Sequence, residues 1–341
     1  MVTSRRAGAA DRHCRAITRR HATTFAVAAR LLPADRRRGV HALYALARTA
    51  DDLVDVPAIG SDPTTELDRL QRRFVEVVQA FDGVSSDGVS PDGVSPDGVA
   101  WDVVASDGAA SDGVSSDGVS SDGVAWDGVA WDGAASDGVG LVLAAAAVTV
   151  HQHSIPMECF DRFFGSMRLD LTVDRYASWD DLLGYMDGSA AVIGEMLLPL
   201  LDPVDRAAAL GPARALGFAF QFTNFLRDIG EDLDRGRQYL PQEDLSRFGV
   251  DLSERRVDGS FRELMAFEIA RCRRLYDEAR PGLALLSSRS RPAITVAHSL
   301  YAAILDRIEE SDVDVFSSRA RVGRGRRVRI VAGVLAGRGG R

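Results

Sequence analysis

No lysine occurs anywhere in the 341 residues, so all 41 basic side chains are arginine. That absence excludes a lysine Schiff base, a lysine general base and the lysine grip on phosphate. Cysteine is scarce too. Cys14, Cys159 and Cys272 have no metal-ligand spacing, and their odd number points to a reduced, intracellular protein. Sustained β-type alternation is missing. The longest uncharged apolar runs, near Leu141–Val150 and Ala190–Leu201, are too short or too interrupted to span a bilayer. The N-terminus carries charge but no apolar signal segment. The expectation is a cytoplasmic protein, soluble or peripheral at the inner membrane face.

The formal charge of −8 conceals an uneven distribution. Residues 82–140 hold twelve aspartates at five-residue intervals and no basic residue. Outside them 41 basic residues face 37 acidic ones, a net charge of +4. Neither balance supplies the concentrated basic face that nucleic acid requires. A five-residue period with Asp-Gly in nearly every unit fits neither helix nor strand, and it favours turns. This insertion reads as disordered, with calcium-bound turns as the alternative because aspartates offer hard oxygen ligands.

Elsewhere helix formers dominate. Helical patterns cover approximately Arg12–Leu32, Ala34–Asp55, Thr64–Phe81, Leu141–His153, Met157–Met167, Trp179–Leu201, Pro203–Gly230, Ser260–Ser287 and Pro292–Ser311. Pro33, Pro57, Pro156, Pro203, Pro241 and Pro281 fall at or near the boundaries. The expected fold is one all-α bundle comprising 12–81 and 141–312. It is interrupted by the repeat of 82–140 and followed by a basic tail over 313–341.

Two aspartate clusters stand out. In Tyr44-Ala-Leu-Ala-Arg48-Thr-Ala-Asp51-Asp52-Leu-Val-Asp55, the residues Tyr44, Arg48, Asp51 and Asp55 form a polar stripe. A second stripe, Gln221, Asn224, Asp228 and Asp232, lies among Phe218, Phe220, Phe222 and Phe225, in a helix otherwise apolar enough to be central. Asp51/Asp55 and Asp228/Asp232 are each one helical turn apart, about 6 Å along the axis. Like charges so placed cost a helix roughly 0.2–0.5 kcal/mol. A divalent cation removes that repulsion, and two such clamps facing one another would hold a cation-bound diphosphate. The stretch Asp234-Arg-Gly-Arg237-Gln-Tyr-Leu-Pro241 then leaves the helix with guanidinium groups suited to phosphate oxygens.

These blocks resemble the squalene/phytoene synthase family, most of all its bacterial phytoene synthases. So do Arg20–Phe25 with Arg30–Pro33, Met167–Tyr176 and Tyr185–Gly194; Gln221–Pro241 is the longest and most specific match. The resemblance implies a single isoprenoid-synthase-type bundle with a central cavity. It implies that two geranylgeranyl diphosphates are joined through prephytoene diphosphate to 15-cis-phytoene, without NADPH. Carried over by position, Asp51, Asp55, Asp228 and Asp232 would bind Mg²⁺ or Mn²⁺. Arg48, Arg227 and Arg237 would hold diphosphate with Gln221 and Asn224 beside them. Phe25, Tyr44 and Tyr185 would line the reaction cavity, and Tyr301 would close it.

Thr49 departs from the larger residue many relatives carry. A squalene or dehydrosqualene synthase acting on farnesyl diphosphate would share every motif, and an inactive bundle with the repeat as an interaction arm is the non-enzyme alternative. The arginine-rich tail from Arg319 suits an anionic membrane surface, with a solvated chain end as the competing reading.

Overall fold

The computed structural model describes residues 2–87 and 137–337. Among them no strand occurs, only two isolated bridges, Arg175–Gln238 and Pro203–Leu286. The chain runs through α1 (Val2–His21), α2 (Thr23–Ala29), α3 (Ala34–Asp55) and α4 (Pro63–Asp87). After the repeat come α5 (Gly138–His153), α6 (Met157–Leu169) and α7 (Trp179–Met186). A π-helical turn, Asp187–Ala191, leads into α8 (Val192–Leu197) and a 3₁₀ turn, Leu198–Leu201. The remaining helices are α9 (Arg206–Asp234), α10 (Gln242–Phe248), α11 (Gly259–Leu285), α12 (Arg291–Glu310) and α13 (Arg324–Leu335).

Caps explain several starts. The side chains of Asp205 and Asp258 accept from Ala208 N and Phe261 N at the heads of α9 and α11. Ser178 and Asp181 form a reciprocal capping box on α7. Asp137, the last aspartate of the repeat, accepts from Gly140 N at 2.7 Å and so starts α5. At the other end, helix α4 continues through Asp82–Asp87, so the first repeat unit is helical rather than a turn. Residues 88–136, the rest of the expected insertion, lie outside the described residues.

Several expectations are corrected. The stretch Arg12–Leu32 is two helices, broken at Ala22, the first beginning at Val2. Trp179–Leu201 is not uniform helix but changes pitch at the π turn and again at the 3₁₀ turn. Pro281 lies inside α11 rather than at a boundary, and Pro212 lies inside α9. Helices α10 and α13 have no counterpart in the expected set.

Packing divides into two large apolar cores. One gathers Leu46, Phe74, Leu143 and Phe160 from α3, α4, α5 and α6. The other gathers Leu182, Phe222, Leu245, Leu264 and Ile304 from α7, α9, α10, α11 and α12. Helix α5 is buried along most of its length, as an Ala/Val-rich segment without a polar face should be. The π turn lies directly on α9: a Cβ on Gly217 would strike the carbonyl oxygen of Ala190. An ion-pair network holds that turn in place. Arg162 donates to Asp187 (2.6 Å) and Glu195 (3.0 Å), and Arg214 donates to the same two carboxylates.

Candidate active site

Helices α3 and α9 both border an apolar cavity of about 220 Å³, to which their polar stripes contribute Tyr44 and Gln221, while the four aspartates lie further along the same helices, outside its lining. Phe25, Tyr44, Gln221 and Tyr301 are among the residues that line it. Ser189 and Ala190 of the π turn, with Phe220, Leu216 and Leu283, complete much of its wall. Phe25 stacks on Tyr44 at 5.9 Å between centroids, and Phe220 stacks on Tyr301 at 4.2 Å. Asn224 lies one turn beyond Gln221 and is half-buried.

The carboxylates are held by arginines. Arg48 donates to Asp51 at 2.7 Å and also to Asp52. Arg237, carried round by the turn after α9, donates to Asp55 at 2.5 Å. Arg227 makes two bonds to Asp228, at 2.7 and 2.5 Å. A second fork comes from the expected tail, where Arg319 reaches the same Asp228 at 2.8 and 2.7 Å. Among the described residues no three carboxylate, imidazole or thiolate side chains converge as a ready-made cation site.

The electrostatics nevertheless tie the two pairs together. Burial, then Asp55, pushes the Asp51 carboxyl up to about 6. Burial, then Asp228, pushes Asp232 up to about 7, and Asp55 on the opposite helix acts in the same direction. Arg237 counters the effect at both. Hard oxygen donors that raise one another's proton affinity are the chemistry a divalent cation relieves, so the four aspartates have the donor character such a cation requires. Arg48 Nε, Ser189 Oγ and Asp170 Oδ1 are buried without a hydrogen bond among the described residues.

A proton held by Asp232 near neutral pH must leave before a cation binds there. The raised value fixes the sign. Below about 7 the carboxyl is largely protonated, and above it the carboxylate is free. Apparent Mg²⁺ affinity should therefore rise by about tenfold between pH 6 and pH 8. Calorimetric Mg²⁺ titrations at both pH values check this, and a flat or falling affinity would contradict it.

Tyr185 is placed differently from expectation. It is absent from the residues lining the cavity and lies in an aromatic group with Tyr176, Phe225 and Tyr239. Its hydroxyl donates to Asp170 at 2.8 Å. Asp170, raised to about 6 by burial against the opposing hydrogen bond from Tyr185, also feels Arg237, Asp51 and Asp55. Neither Asp170 nor Arg319 was among the candidate site residues. Asp170 sits within the Met167–Tyr176 block four residues before Asp174, but the helix ends at Leu169, so that spacing does not set the two on one helical face. Arg319 follows the matched helices and looks like any other tail arginine.

The squalene/phytoene synthase model matches residues 18–326, beyond the expected domain end at 312. The chain is 31% identical over 323 residues to phytoene synthase of Daucus carota, covering 92% of this chain and 67% of that protein. It is 30% identical over 317 residues to phytoene synthase 2 of Solanum lycopersicum, covering 91% and 84%. Among solved structures, a dehydrosqualene synthase in complex with ligand superposes with a TM-score of 0.72 at 23% identity, covering 98% of both chains. A squalene synthase from Alicyclobacillus acidocaldarius gives 0.65 at 24% identity, over 90% of this chain and 95% of that one.

Proposed function

Because the chain belongs to the squalene/phytoene synthase family, we propose that it joins two geranylgeranyl diphosphates head to head, through prephytoene diphosphate, to give 15-cis-phytoene. As a family member it is a prenyl-transferring enzyme acting on prenyl diphosphates. One observation carries the reading: Arg237 acts on both carboxylate pairs, and the two helices that bear those pairs also wall an aromatic-edged apolar cavity through Tyr44 and Gln221. A charged head and a long hydrocarbon tail match such a site. The similar phytoene synthases support the choice of product.

Two steps each break a carbon–oxygen bond, allylic in the first and that of prephytoene diphosphate in the second. Each releases one diphosphate and one proton, so the leaving diphosphate must be stabilised both times. Asp51, Asp55, Asp228 and Asp232 would hold the Mg²⁺ or Mn²⁺ ions, which act as Lewis acids on diphosphate oxygens. Arg48, Arg227 and Arg237 exchange their present carboxylate partners for those oxygens, so their charge serves the reaction without being desolvated anew. Gln221 and Asn224 orient the head. Phe25, Tyr44, Phe220 and Tyr301 present π faces to the carbocation and keep water out. Asp170 fixes the Tyr185 hydroxyl by accepting its hydrogen bond. No protein nucleophile and no reductant is needed, so NADPH is not required.

The second reading, squalene or dehydrosqualene formation from farnesyl diphosphate, is favoured by the fold shared with the solved dehydrosqualene synthase. Incubation with geranylgeranyl diphosphate and Mg²⁺, without NADPH, followed by chromatography of the hydrocarbon fraction, separates the two. We expect phytoene. Hydrocarbon from farnesyl diphosphate alone would establish the second reading, and none from either substrate would make the chain an inactive relative. The apolar tails and product also place the protein in peripheral contact with a membrane. No described helix is long and apolar enough to cross one.

A further inference from the structure

Helix α13 carries more positive charge than the bundle beneath it neutralises. Its inner side packs Ile330, Val331 and Val334 on a buried patch of Ala28, Val296, Ala297 and Leu300. Ala297 is also part of the cavity wall. The outer side is different. Val328 and Leu335 are 67% and 59% exposed, and their seven-residue spacing sets them within roughly 20° on the helix. Arg324 and Arg329 are exposed as well.

Where α12 ends and α13 begins, an open recess of about 590 Å³ is lined by Arg307, Glu310, Arg321, Gly323, Arg326 and Arg329. Glu310 accepts from both Arg307 and Arg326, and Arg326 also reaches Asp306 at 2.6 Å. Among the described residues Arg321 and Arg329 meet no carboxylate. Four guanidinium groups thus share one lining carboxylate, and an anion is what would relieve their mutual repulsion.

We propose that this recess, together with the Val328–Leu335 face, is a docking site for an anionic phospholipid surface. Headgroup phosphates enter among Arg307, Arg321, Arg326 and Arg329, while the two aliphatic side chains settle at the acyl boundary. The inference deepens the proposed function and rests on it in one respect, the need to deliver an apolar product. The placement suits that need. The segment leading into α13 lies against the catalytic helix, with Val315 over Gly230 and Arg319 on Asp228. A bilayer drawn to α13 therefore lies beside the cavity wall. RNA fits the surface less well. No aromatic residue follows Phe316, so α13 offers no base-stacking platform, whereas exposed aliphatics suit lipid.

The test uses the full-length protein in flotation with vesicles of equal parts phosphatidylglycerol and phosphatidylcholine, and with pure phosphatidylcholine. We expect salt-sensitive binding to the anionic vesicles alone. Arg321→Gln/Arg329→Gln should weaken it about 30-fold. Val328→Ser/Leu335→Ser should weaken it several-fold, while both variants keep the parent's circular dichroism and melting temperature. Equal flotation of parent and arginine variant would overturn the docking site. Displacement by millimolar inorganic phosphate would overturn it in favour of a free-phosphate site. Capture of an RNA oligonucleotide with no vesicle binding would overturn it in favour of nucleic acid. Product formation from detergent-solubilised geranylgeranyl diphosphate is measured alongside. Its absence in the parent counts against the proposed function alone, and its persistence in a non-floating variant supports a docking role separate from catalysis.

Discussion

Asp51→Asn and Asp228→Asn are each expected to lower product formation at least about a hundredfold while leaving helical content unchanged. Each substitution keeps the shape and one oxygen of the side chain and removes its charge. At Asp51 the fold loses one hydrogen bond from Arg48, which keeps Asp52 as its partner, so the loss there is small. Asp228 is more demanding, because Arg227 and Arg319 both rest on it. Glu231 lies 3.8 Å from Arg319 and can take up that cation. The measurement is chromatography of the hydrocarbon product at saturating Mg²⁺, with circular dichroism on the same samples. Near-parental turnover in both variants would refute the placement of the site on these helices.

A second large effect is expected far from catalysis. Arg271 of α11 donates to Glu268 and to Asp244 of α10, both at 2.7 Å, and lies over the rings of Trp179 and Phe267. Glu268 and Asp244 are almost fully buried, with side chains 0% and 5% exposed. Burial pushes the Glu268 carboxyl up to about 8, so at neutral pH it is largely protonated. Arg271→Met therefore leaves Asp244 as a buried charge without its cation and should cost about 3–5 kcal/mol, as removal of one partner from a buried pair does. For a domain of this size the melting temperature should fall by roughly 10 °C. Adding Glu268→Leu and Asp244→Leu removes the stranded charge and should recover much of the loss. A shift under about 3 °C for the single variant would show that water reaches the carboxylates after all.

The parts of the fold that were legible in the sequence are those with a period. The apolar stripe Leu43, Leu46, Ala47, Ala50 and Leu53 placed α3 at Ala34–Asp55, and of these Leu43, Leu46 and Ala50 are buried. The phenylalanines about Gln221 made α9 central. What was not legible depended on partners distant in sequence. Nothing near Ser189 announces a π turn, which is maintained by Arg162 and Arg214 closing on Asp187 and Glu195. Helix α13 was hidden because its arginines outnumber the Ile330, Val331 and Val334 that dock it, so its mean hydropathy reads as tail. The four aspartates were visible from spacing alone, with Arg48 and Arg227 beside them, but the distant arginine partners were not. Arg237 to Asp55 spans 182 positions and Arg319 to Asp228 spans 91, distances over which a local pattern is silent.

The two apolar cores give the cavity a further meaning. Phe25, Leu43 and Ile294 on its wall belong with the first core, whereas Ala190, Phe220 and Tyr301 belong with the second. The cavity is therefore a seam. Asp51 and Asp55 stand on one side of it, Asp228 and Asp232 on the other, and α9 threads both, with Ala209 in one core and Phe222 in the other. A ligand gripped by both carboxylate pairs would act as a keystone, adding a further tie between two halves already joined by α9 and by Arg237 on Asp55. Side chains along that boundary can then change in bulk, and with them the tail the cavity accepts, while each half keeps its own packing intact.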